Sequence, residues 1–303
     1  METNAIIALI LAALFFFIVA GYVWIKGQDE TRSIEGVIIY SGQPQPIIVN
    51  HENTNLSLVP EPAIERARSG LHIAYGHTSH GSQITDGMTG LSQFSAAPYG
   101  NSIFSWNNGG NNGALDFRDG VLAGDLGSPD RTSWADRTRT YLDAHRDVNV
   151  VMWSWCGQVS DAKESHINTY LSLMNKLESE YPDVKFVYMT GHLDGTGVSG
   201  NLNIRNEQIR NYCRSNNKIL YDFADIESYD PDGNYYLDKG ADDGCDYNGG
   251  SRNWAIDWQN SHKKGTEWFE CSSAHSEPLN ANQKAYAAWW LWARLAGWDG
   301  NPL

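Results

Sequence analysis

Three polar, glycine-rich clusters each follow a run of apolar residues that is typical of a buried β-strand. They are 76–82 (GHTSHGS), 156–161 (CGQVSD) and 191–197 (GHLDGTG). In an open parallel sheet the carboxyl ends of the strands share one edge, and ligands bind in the crevice there. We therefore predict that the three clusters converge and that their side chains form the functional site.

Ser79 is the best candidate nucleophile in the first cluster. It lies on a tight turn between a strand and an expected helix, where the amides of a helix N-terminus can stabilise an oxyanion. A serine at such a place also commonly caps the helix that follows, and without the other clusters this is the simpler interpretation of Ser79 or Ser82. The convergence of the clusters favours the catalytic role.

These blocks resemble the SGNH/GDSL hydrolase superfamily, whose members are flavodoxin-like esterases and lipases that often deacetylate carbohydrates. The resemblance covers about residues 71–299. Its first block is matched by 75–79 (YGHTS), which implies that Ser79 is the nucleophile. Its closing D-x-x-H block is matched by 272–275 (SSAH), which implies that His275 is the catalytic base, although Ser272 stands where the family has aspartate.

The resemblance also implies a set of oxyanion and substrate contacts. These are Asn108, Gly157 and Gln158, with Gln158 where the family has asparagine. The cluster 191–197 adds His192 and Asp194 as candidate substrate contacts. A histidine in a triad needs a partner that fixes its tautomer. Either a backbone carbonyl or Glu277 fills this role for His275, or the enzyme is slow, or the domain is not an enzyme.

A metal site is a second interpretation of the same clusters, since histidine and carboxylate are zinc ligands. The candidate ligands are His77, His80, His192, His275 and Asp194. No HExxH motif or paired-cysteine spacing supports a metal, and we expect neither a metal nor a cofactor. The acidic segment 230–234 (DPDGN) is similar to a calcium loop, but it lacks the closing glutamate of an EF-hand, so an Asp-Gly turn is the simpler interpretation.

Alternating strands and helices are expected to position the clusters. Strand-like runs occur at 71–75, 148–155, 184–190 and 218–223, and helical patterns at about 164–181, 206–214 and 281–295. Strands that alternate with helices at this spacing form parallel sheets with right-handed crossovers. The predicted class is α/β, a flavodoxin-like parallel sheet sandwiched by helices and preceded by a single hydrophobic N-terminal helix.

The N-terminal helix is predicted within residues 1–27. The run 6–25 has no charged residue and would span ~30 Å as a helix, which matches the hydrocarbon core of a bilayer. A transmembrane anchor is the first interpretation, and a pilin-like filament helix or a cleaved signal is the alternative. Residues 28–69, with short apolar runs punctuated by proline, are predicted to be a linker with some β character, and 70–303 the α/β domain.

Cysteine placement suggests one disulfide. Cys245 and Cys271 bracket a stretch rich in Gly, Asp and Asn that is typical of a surface excursion, and we predict that they are bonded. Such a bridge would place the domain outside the cytoplasm. Cys156 and Cys213 lie in apolar surroundings and are expected to act as small hydrophobes.

Composition limits the function further. A net charge of −14 disfavours nucleic acid as a partner. Twelve tryptophans and fifteen tyrosines suit core packing and stacking on sugars. We expect a serine esterase that acts on acyl groups of a carbohydrate or cell-envelope polymer. It would be membrane-anchored with its domain outside the cytoplasm, or displayed on an extracellular filament. The alternative is a non-catalytic surface or filament subunit with a hydrolase-like, sugar-binding outer domain.

Overall fold

The computed structural model describes residues 33–34, 37–38 and 45–301. The chain divides into two compact units, Met1–Gln45 and Pro46–Leu303. In the first unit, strands β1 (Ser33–Ile34) and β2 (Val37–Ile38) form an antiparallel pair. The hydrophobic helix predicted within residues 1–27 lies outside the described residues. Of the helices that are described, none is both long and apolar enough to cross a membrane.

The second unit is built on a seven-stranded sheet in which every pair of neighbouring strands is parallel. Its strands are β3 (Ile47–Val49), β4 (His72–Gly76), β5 (Trp106–Asn107), β6 (Leu115–Leu122), β7 (Val150–Trp153), β8 (Lys185–Met189) and β9 (Ile219–Tyr221). The spatial order is β3-β9-β8-β7-β4-β6-β5. The predicted α/β class with a parallel central sheet is confirmed.

Helices cover both faces of this sheet. They are α1 (Glu61–Gly70), α2 (Ser82–Leu91), α3 (Ser133–Ala144), α4 (Glu164–Glu180), α5 (Asn201–Ser215), α6 (Phe223–Ile226), α7 (Trp254–Ser261) and α8 (Pro278–Leu295). A small antiparallel pair, β10 (Asp246–Tyr247) and β11 (Arg252–Asn253), precedes α7. The sheet is therefore sandwiched by helices, as the alternating pattern predicts.

Successive residues of each central strand enter different cores, because side chains alternate across a strand. On β4, Ile73 and Tyr75 belong to the core that contains α1, α2 and α8, whereas Ala74 belongs to the core that contains α3, α4 and α5. On β7, Met152 and Trp153 divide in the same way. Both faces of the sheet are thus buried, which is why these strands read as continuous apolar runs.

All strands run in the same direction, but the order in which the chain adds them to the sheet reverses between β4 and β7. When β4, β6, β7, β8 and β9 are numbered one to five along the chain, their order in space is 2-1-3-4-5. At such a reversal the connections leave the two central strands toward opposite faces of the sheet, which opens a crevice at their carboxyl ends. The fold therefore predicts a ligand site between the ends of β4 and β7.

The longest helix, α8, packs closely against α2. A side chain at Gly87 would overlap the carbonyl oxygen of Ala281, so glycine is needed there for the two helices to approach. The first half of α8 buries polar side chains, including Asn280, Gln283 and Lys284. Buried polar groups require hydrogen-bond partners, and Gln283 and Lys284 find theirs on α2 and on the segment that follows α6.

The α/β unit begins at Pro46, well before residue 70. Within the segment predicted as a linker, β3 pairs with β9 at one edge of the sheet. Helix α1 follows and buries Ala63, Ile64 and Ala67. The prolines misled the sequence reasoning, because Pro60 caps this helix and Pro62 occupies its first turn, where proline costs no hydrogen bond.

The predicted bridge between Cys245 and Cys271 is absent, and all four cysteines are free thiols. Cys245 is fully buried, and its sulfur lies 3.3 Å from Ser276 Oγ. The sulfur of Cys271 instead contacts the start of α8, 3.4 Å from Asn282 Nδ2. The excursion between the two cysteines is held by its own buried side chains, among them Trp254, and needs no covalent closure.

We predict that a chain of residues 46–303 folds and that one of residues 70–303 does not fold cooperatively. The shorter chain lacks five fully buried side chains: Val49, Val59, Ala63, Ile64 and Ala67. Burial of an aliphatic side chain such as valine or isoleucine stabilises a fold by about 1.5–3 kcal/mol, and the free energy of unfolding of a domain is only about 5–15 kcal/mol. Thermal unfolding followed by circular dichroism measures the difference. Equal midpoints for the two chains would contradict the boundary at Pro46.

Candidate functional site

The clusters that follow β4, β7 and β8 meet at the carboxyl edge of the sheet. The His80 Nδ1 atom, beyond β4, lies 3.0 Å from the Cys156 sulfur, beyond β7. The His80 ring stacks on the His192 ring, beyond β8, with centroids 3.7 Å apart. The site therefore lies at the reversal between β4 and β7, where the strand order opens a crevice.

Cys156, His80 and Asp243 form a continuous chain of polar contacts. While His80 Nδ1 faces the Cys156 sulfur, His80 Nε2 lies 2.8 Å from Asp243 Oδ2. A carboxylate only accepts, so Nε2 carries the proton and Nδ1 is left as an acceptor for the thiol. A nucleophile, a base and a carboxylate that orients the base are thus in the order that nucleophilic catalysis uses.

Burial and hydrogen bonding shift the pKa values of His80, which contacts the thiol, and of Asp243, which contacts His80. Burial lowers the pKa of His80, the positive charge that His192 can carry lowers it further, and the hydrogen bond to Asp243 only partly opposes this. Burial alone would raise the pKa of Asp243, but the hydrogen bond from His80 outweighs it and the pKa falls below its usual range. At neutral pH the pair is a neutral imidazole beside a carboxylate, which is the state that can accept a proton.

A short 3-10 turn, Ser79–Gly81, places His80 between β4 and α2. The turn is fixed from below by Tyr75, whose hydroxyl donates to the Gly81 carbonyl at 3.0 Å. A side chain at Gly81 would overlap the Ser154 hydroxyl and the Cβ of His77, so only glycine lets the turn pass this close to the end of β7. This close approach brings the His80 ring to the Cys156 thiol.

Gln158 holds the backbone of the cysteine. Its Oε1 accepts from the Cys156 amide at 3.0 Å, and its Nε2 donates to Asp125 at 3.2 Å. The Gln158 side chain is thus occupied within the protein and does not offer an oxyanion donor. Gly157 beside it is exposed, and a Cβ built on it would lie 3.9 Å from His192 Nε2, so this residue borders the crevice.

His192 has one ring nitrogen without a partner. Its Nδ1 donates to the carbonyl of Leu193 at 2.7 Å, which leaves Nε2 as an acceptor. That Nε2 atom is buried and makes no hydrogen bond. Buried polar atoms are nearly always satisfied, so an exception in the ring that stacks on His80 marks a place for a ligand group.

Ser79 and His275 reach the site but do not contact each other through a hydrogen bond. Within the site, Ser79 Oγ lies 3.8 Å from the Cys156 sulfur. The exposed His275 ring stacks on His80 with centroids 4.6 Å apart. Both residues therefore border the Cys156–His80–Asp243 chain without forming a nucleophile and base pair of their own.

Two other predicted substrate contacts serve the local backbone. Asn108 Oδ1 accepts from the amide of Asp119 at 3.0 Å. Asp194 Oδ1 accepts from the amide of Thr196 at 3.0 Å, within a turn. These side chains cap loops near the crevice, as asparagine and aspartate commonly do.

The histidines offer a possible metal-binding set. Donor atoms of His80, His192 and Asp243 lie within 4.8 Å of one another. A metal bonds an imidazole nitrogen in the plane of its ring, but the His80 and His192 planes are stacked only 6° from parallel. One ion cannot lie in both planes, so binding would require one ring to rotate. His77 is not part of this set, because its Nε2 pairs with Asp119 at 2.6 Å.

A buried ion pair beneath the site ties its loops together. Lys284 Nζ lies 2.7 Å from Glu227 Oε2, and both side chains are fully buried. The other Glu227 oxygen accepts from the amide of Leu193, next to His192. Lys284 also donates to Gln83 Oε1, and Gln83 Nε2 donates to the carbonyl of Ala274, next to His275, at 2.5 Å. One cation in the core thus fixes three segments of the site.

Two residues of the Cys156–His80–Asp243 chain were given no role in the site by the sequence. Cys156 carried a usable signal, because it follows a strand directly, but its apolar neighbours favoured a structural role. Asp243 carried none, since it lies in an acidic loop far from the strands and several of its neighbours are also aspartates. Only the tertiary structure selects it.

Comparison of the chain with protein-family models, with curated proteins and with solved structures found no match.

We predict that Lys284→Met lowers the free energy of unfolding by about 3–5 kcal/mol, because it leaves the Glu227 carboxylate buried without its cation. The double variant Lys284→Met/Glu227→Gln removes both charges and should be less destabilised than the single variant. Urea unfolding measures both. Lys176→Met, which breaks an exposed ion pair with Glu180, is the matched control and should change stability by less than about 1 kcal/mol. Equal losses for Lys284→Met and Lys176→Met would rule out the role of the buried pair.

Proposed function

We propose that the protein is a cysteine-dependent hydrolase of acyl substrates. The observation that carries the proposal is the pair of contacts on opposite sides of one imidazole, 3.0 Å to the Cys156 sulfur and 2.8 Å to an Asp243 oxygen. The thiol is partly exposed at the crevice, whereas His80 behind it is buried. A reactive group that is open to substrate and a base that is shielded from water are what nucleophilic catalysis requires.

In the proposed reaction, the Cys156 sulfur attacks the acyl carbon as His80 Nδ1 takes the thiol proton. The tetrahedral intermediate collapses, the bond to the leaving group breaks, and His80 returns the proton to that group. Water then attacks the thioester with His80 again as base, and the carboxylic acid and the free thiol are regenerated. Asp243 stays ionised throughout and stabilises the imidazolium that forms in each half.

The developing oxyanion would be held by backbone amides. Gly157 begins the short 3-10 turn Gly157–Val159 directly after the nucleophile. The first amides of such a turn have no partner within it. We assign the oxyanion role to the amides of Gly157 and Gln158, a role for which the Gln158 side chain is not needed.

We further infer that the domain is flavodoxin-like and related to SGNH hydrolases in architecture. The nucleophile would then follow β7, whereas the family has it at the position after β4. The 2-1-3-4-5 order of the central strands supports this fold assignment. The pair of Ser79 and His275 stays the competing mechanism. In that mechanism His275 would have to turn away from its stack on His80 to reach the serine hydroxyl.

The substrate and the location are proposals from the sequence. Acyl groups on a carbohydrate or cell-envelope polymer fit the abundance of aromatic residues, and the uncharged run 6–25 fits a membrane anchor or self-association in a filament. The domain would then lie outside the cytoplasm. A non-catalytic surface or filament subunit that binds sugar is the alternative and is the conclusion if no hydrolysis is found.

We predict that Cys156→Ala lowers the hydrolysis rate of p-nitrophenyl acetate on the order of 10³-fold or more, because it removes the nucleophile. Asp243→Asn should lower the rate on the order of 10²-fold or more, since His80 loses the partner that fixes its tautomer. Ser79→Ala separates the two mechanisms, as it leaves the thiol in place and should retain most of the rate.

Full loss of activity in Ser79→Ala, with Cys156→Ala unaffected, would return the nucleophile to Ser79.

Metal-dependent hydrolysis is a second candidate, favoured by the unpartnered His192 Nε2. Elemental analysis of the purified chain tests it. Stoichiometric zinc, together with activity that is lost to a chelator and restored by the metal, would replace the cysteine mechanism.

We also predict that, in the pH profile of kcat/KM, the midpoint of the acid limb lies below pH 6.5. The pKa of His80 is lowered, so its imidazole remains a neutral base as the pH falls through 6.5 and becomes protonated only at lower pH. His192→Gln removes a group that lowers this pKa and should move the limb to higher pH, whereas Asp243→Asn should move it to lower pH. A limb above 6.5 in the unmodified protein would show that His80 is not the base.

A further inference from the structure

A cavity lies at the opposite end of the sheet from the candidate site. Its volume is about 680 Å³, and it is bordered by the amino ends of β4 and β6, by α1 and by a glycine-rich loop. Among its lining residues are Arg66, Arg68, His72, Gly110 and Gly113. A volume of this size falls in the range of ligand pockets and is larger than a single small ion needs.

Two arginines of this cavity have no partner in the protein. The side chains of Arg66 and Arg68 make no hydrogen bond or ion pair, whereas the side chain of every other arginine between residues 45 and 301 makes at least one. The Nε atom of Arg68 is buried and unsatisfied. A buried guanidinium nitrogen without an acceptor is costly. Arg131 and Arg205 also have an unsatisfied Nε atom, but each has another nitrogen with a partner in the protein, whereas Arg68 has none, which points to an acceptor supplied by a ligand.

The carboxylates nearby do not neutralise these arginines. Asp116 on the cavity wall already accepts from Arg118 at 2.7 Å and pairs with His72 at 2.8 Å. Glu65 is the remaining acidic residue of the lining, and it forms no ion pair. The wall therefore carries two free cations against one free carboxylate, in a chain whose net charge is −14.

The wall opposite the arginines is mainly backbone. Gly110 and Gly113 have φ of +65° and +73°, which glycine adopts without strain. The Gly109 amide donates to Asp116 Oδ1 at 2.7 Å, which anchors the loop to β6. Arg68 extends toward this loop, since a Cβ built on Gly113 would lie 3.7 Å from its Nη2. A ligand in the cavity would thus meet guanidinium groups on one side and an open backbone surface on the other.

We propose that this cavity binds an acidic oligosaccharide through a carboxylate or sulfate group held by Arg66 and Arg68. The planar guanidinium offers paired donors that match such oxyanions. The oxyanion follows from the unpaired arginines. The sugar carrier rests on the carbohydrate substrate class proposed above, for which the cavity would act as a second, non-catalytic contact with the polymer, and the cavity volume leaves room for it.

The test is calorimetric titration of the full chain with four probes: oligogalacturonate, heparin oligosaccharides, neutral malto-oligosaccharides and inorganic phosphate. The unmodified protein should bind one of the two acidic oligosaccharides, more weakly as salt rises, and should not bind the neutral sugar. The acidic probe that binds distinguishes a carboxylate site from a sulfate site. The double variant Arg66→Gln/Arg68→Gln should bind at least tenfold more weakly.

Arg146→Gln is the matched control, because Arg146 is an exposed arginine outside the cavity, paired with Asp143, and its loss should leave binding unchanged. Cys156→Ala should also bind normally, which separates this cavity from the reaction. If the double variant unfolds at a lower temperature, the single variant Arg66→Gln, at an exposed position, replaces it and should still weaken binding. Absence of binding to both acidic probes, equal binding by the arginine variants, or equally tight binding of phosphate would overturn the proposal.

Discussion

The buried pair of Lys284 and Glu227 is the interaction on which the arrangement of the site depends. Two fully buried charges are tolerated only when each is paired and its remaining hydrogen-bonding capacity is filled. The groups that fill it are the Leu193 amide and the Gln83 amide side chain. The requirement to satisfy one cation in the core therefore fixes the loops that carry His192 and, through Gln83, His275.

The position of the site depends on the topology of the sheet as well as on this ion pair. Strand order alone opens a crevice between β4 and β7, and the turn at Gly81 brings His80 across it to the Cys156 thiol. The carboxylate that completes the chain, Asp243, comes from a distant loop that packs over the same edge. A scaffold of rigid strands with reactive groups on the adjoining loops is the usual division of labour in α/β proteins.

The two ends of the sheet differ in electrostatic character. At the carboxyl end, histidines lie among carboxylates, and the ionisable groups are balanced by direct hydrogen bonds between them. At the amino end, Arg66 and Arg68 remain without partners in an otherwise acidic chain. The first environment is the one for which we propose acyl hydrolysis, and the second is the one for which we propose recognition of an anionic group.

The sequence by itself determined the fold class and the edge at which the site forms. Apolar runs at 71–75, 148–155, 184–190 and 218–223 mark four of the five central strands because both faces of these strands are buried, and polar clusters after the first three runs mark the carboxyl edge. The fifth central strand, β6, was not predicted. The edge strand β3 and helix α1 were hidden by prolines that are compatible with a cap and a first helical turn. The sequence favoured Ser79 and gave Cys156 a structural role, because both residues follow strands and no local pattern shows which of them lies beside a histidine. Tertiary structure supplied the contact of Cys156 with His80, the free state of Cys245 and Cys271, and the selection of Asp243 from an acidic loop. Each of these depends on which side chains from distant segments come within hydrogen-bonding distance, and local patterns do not encode that.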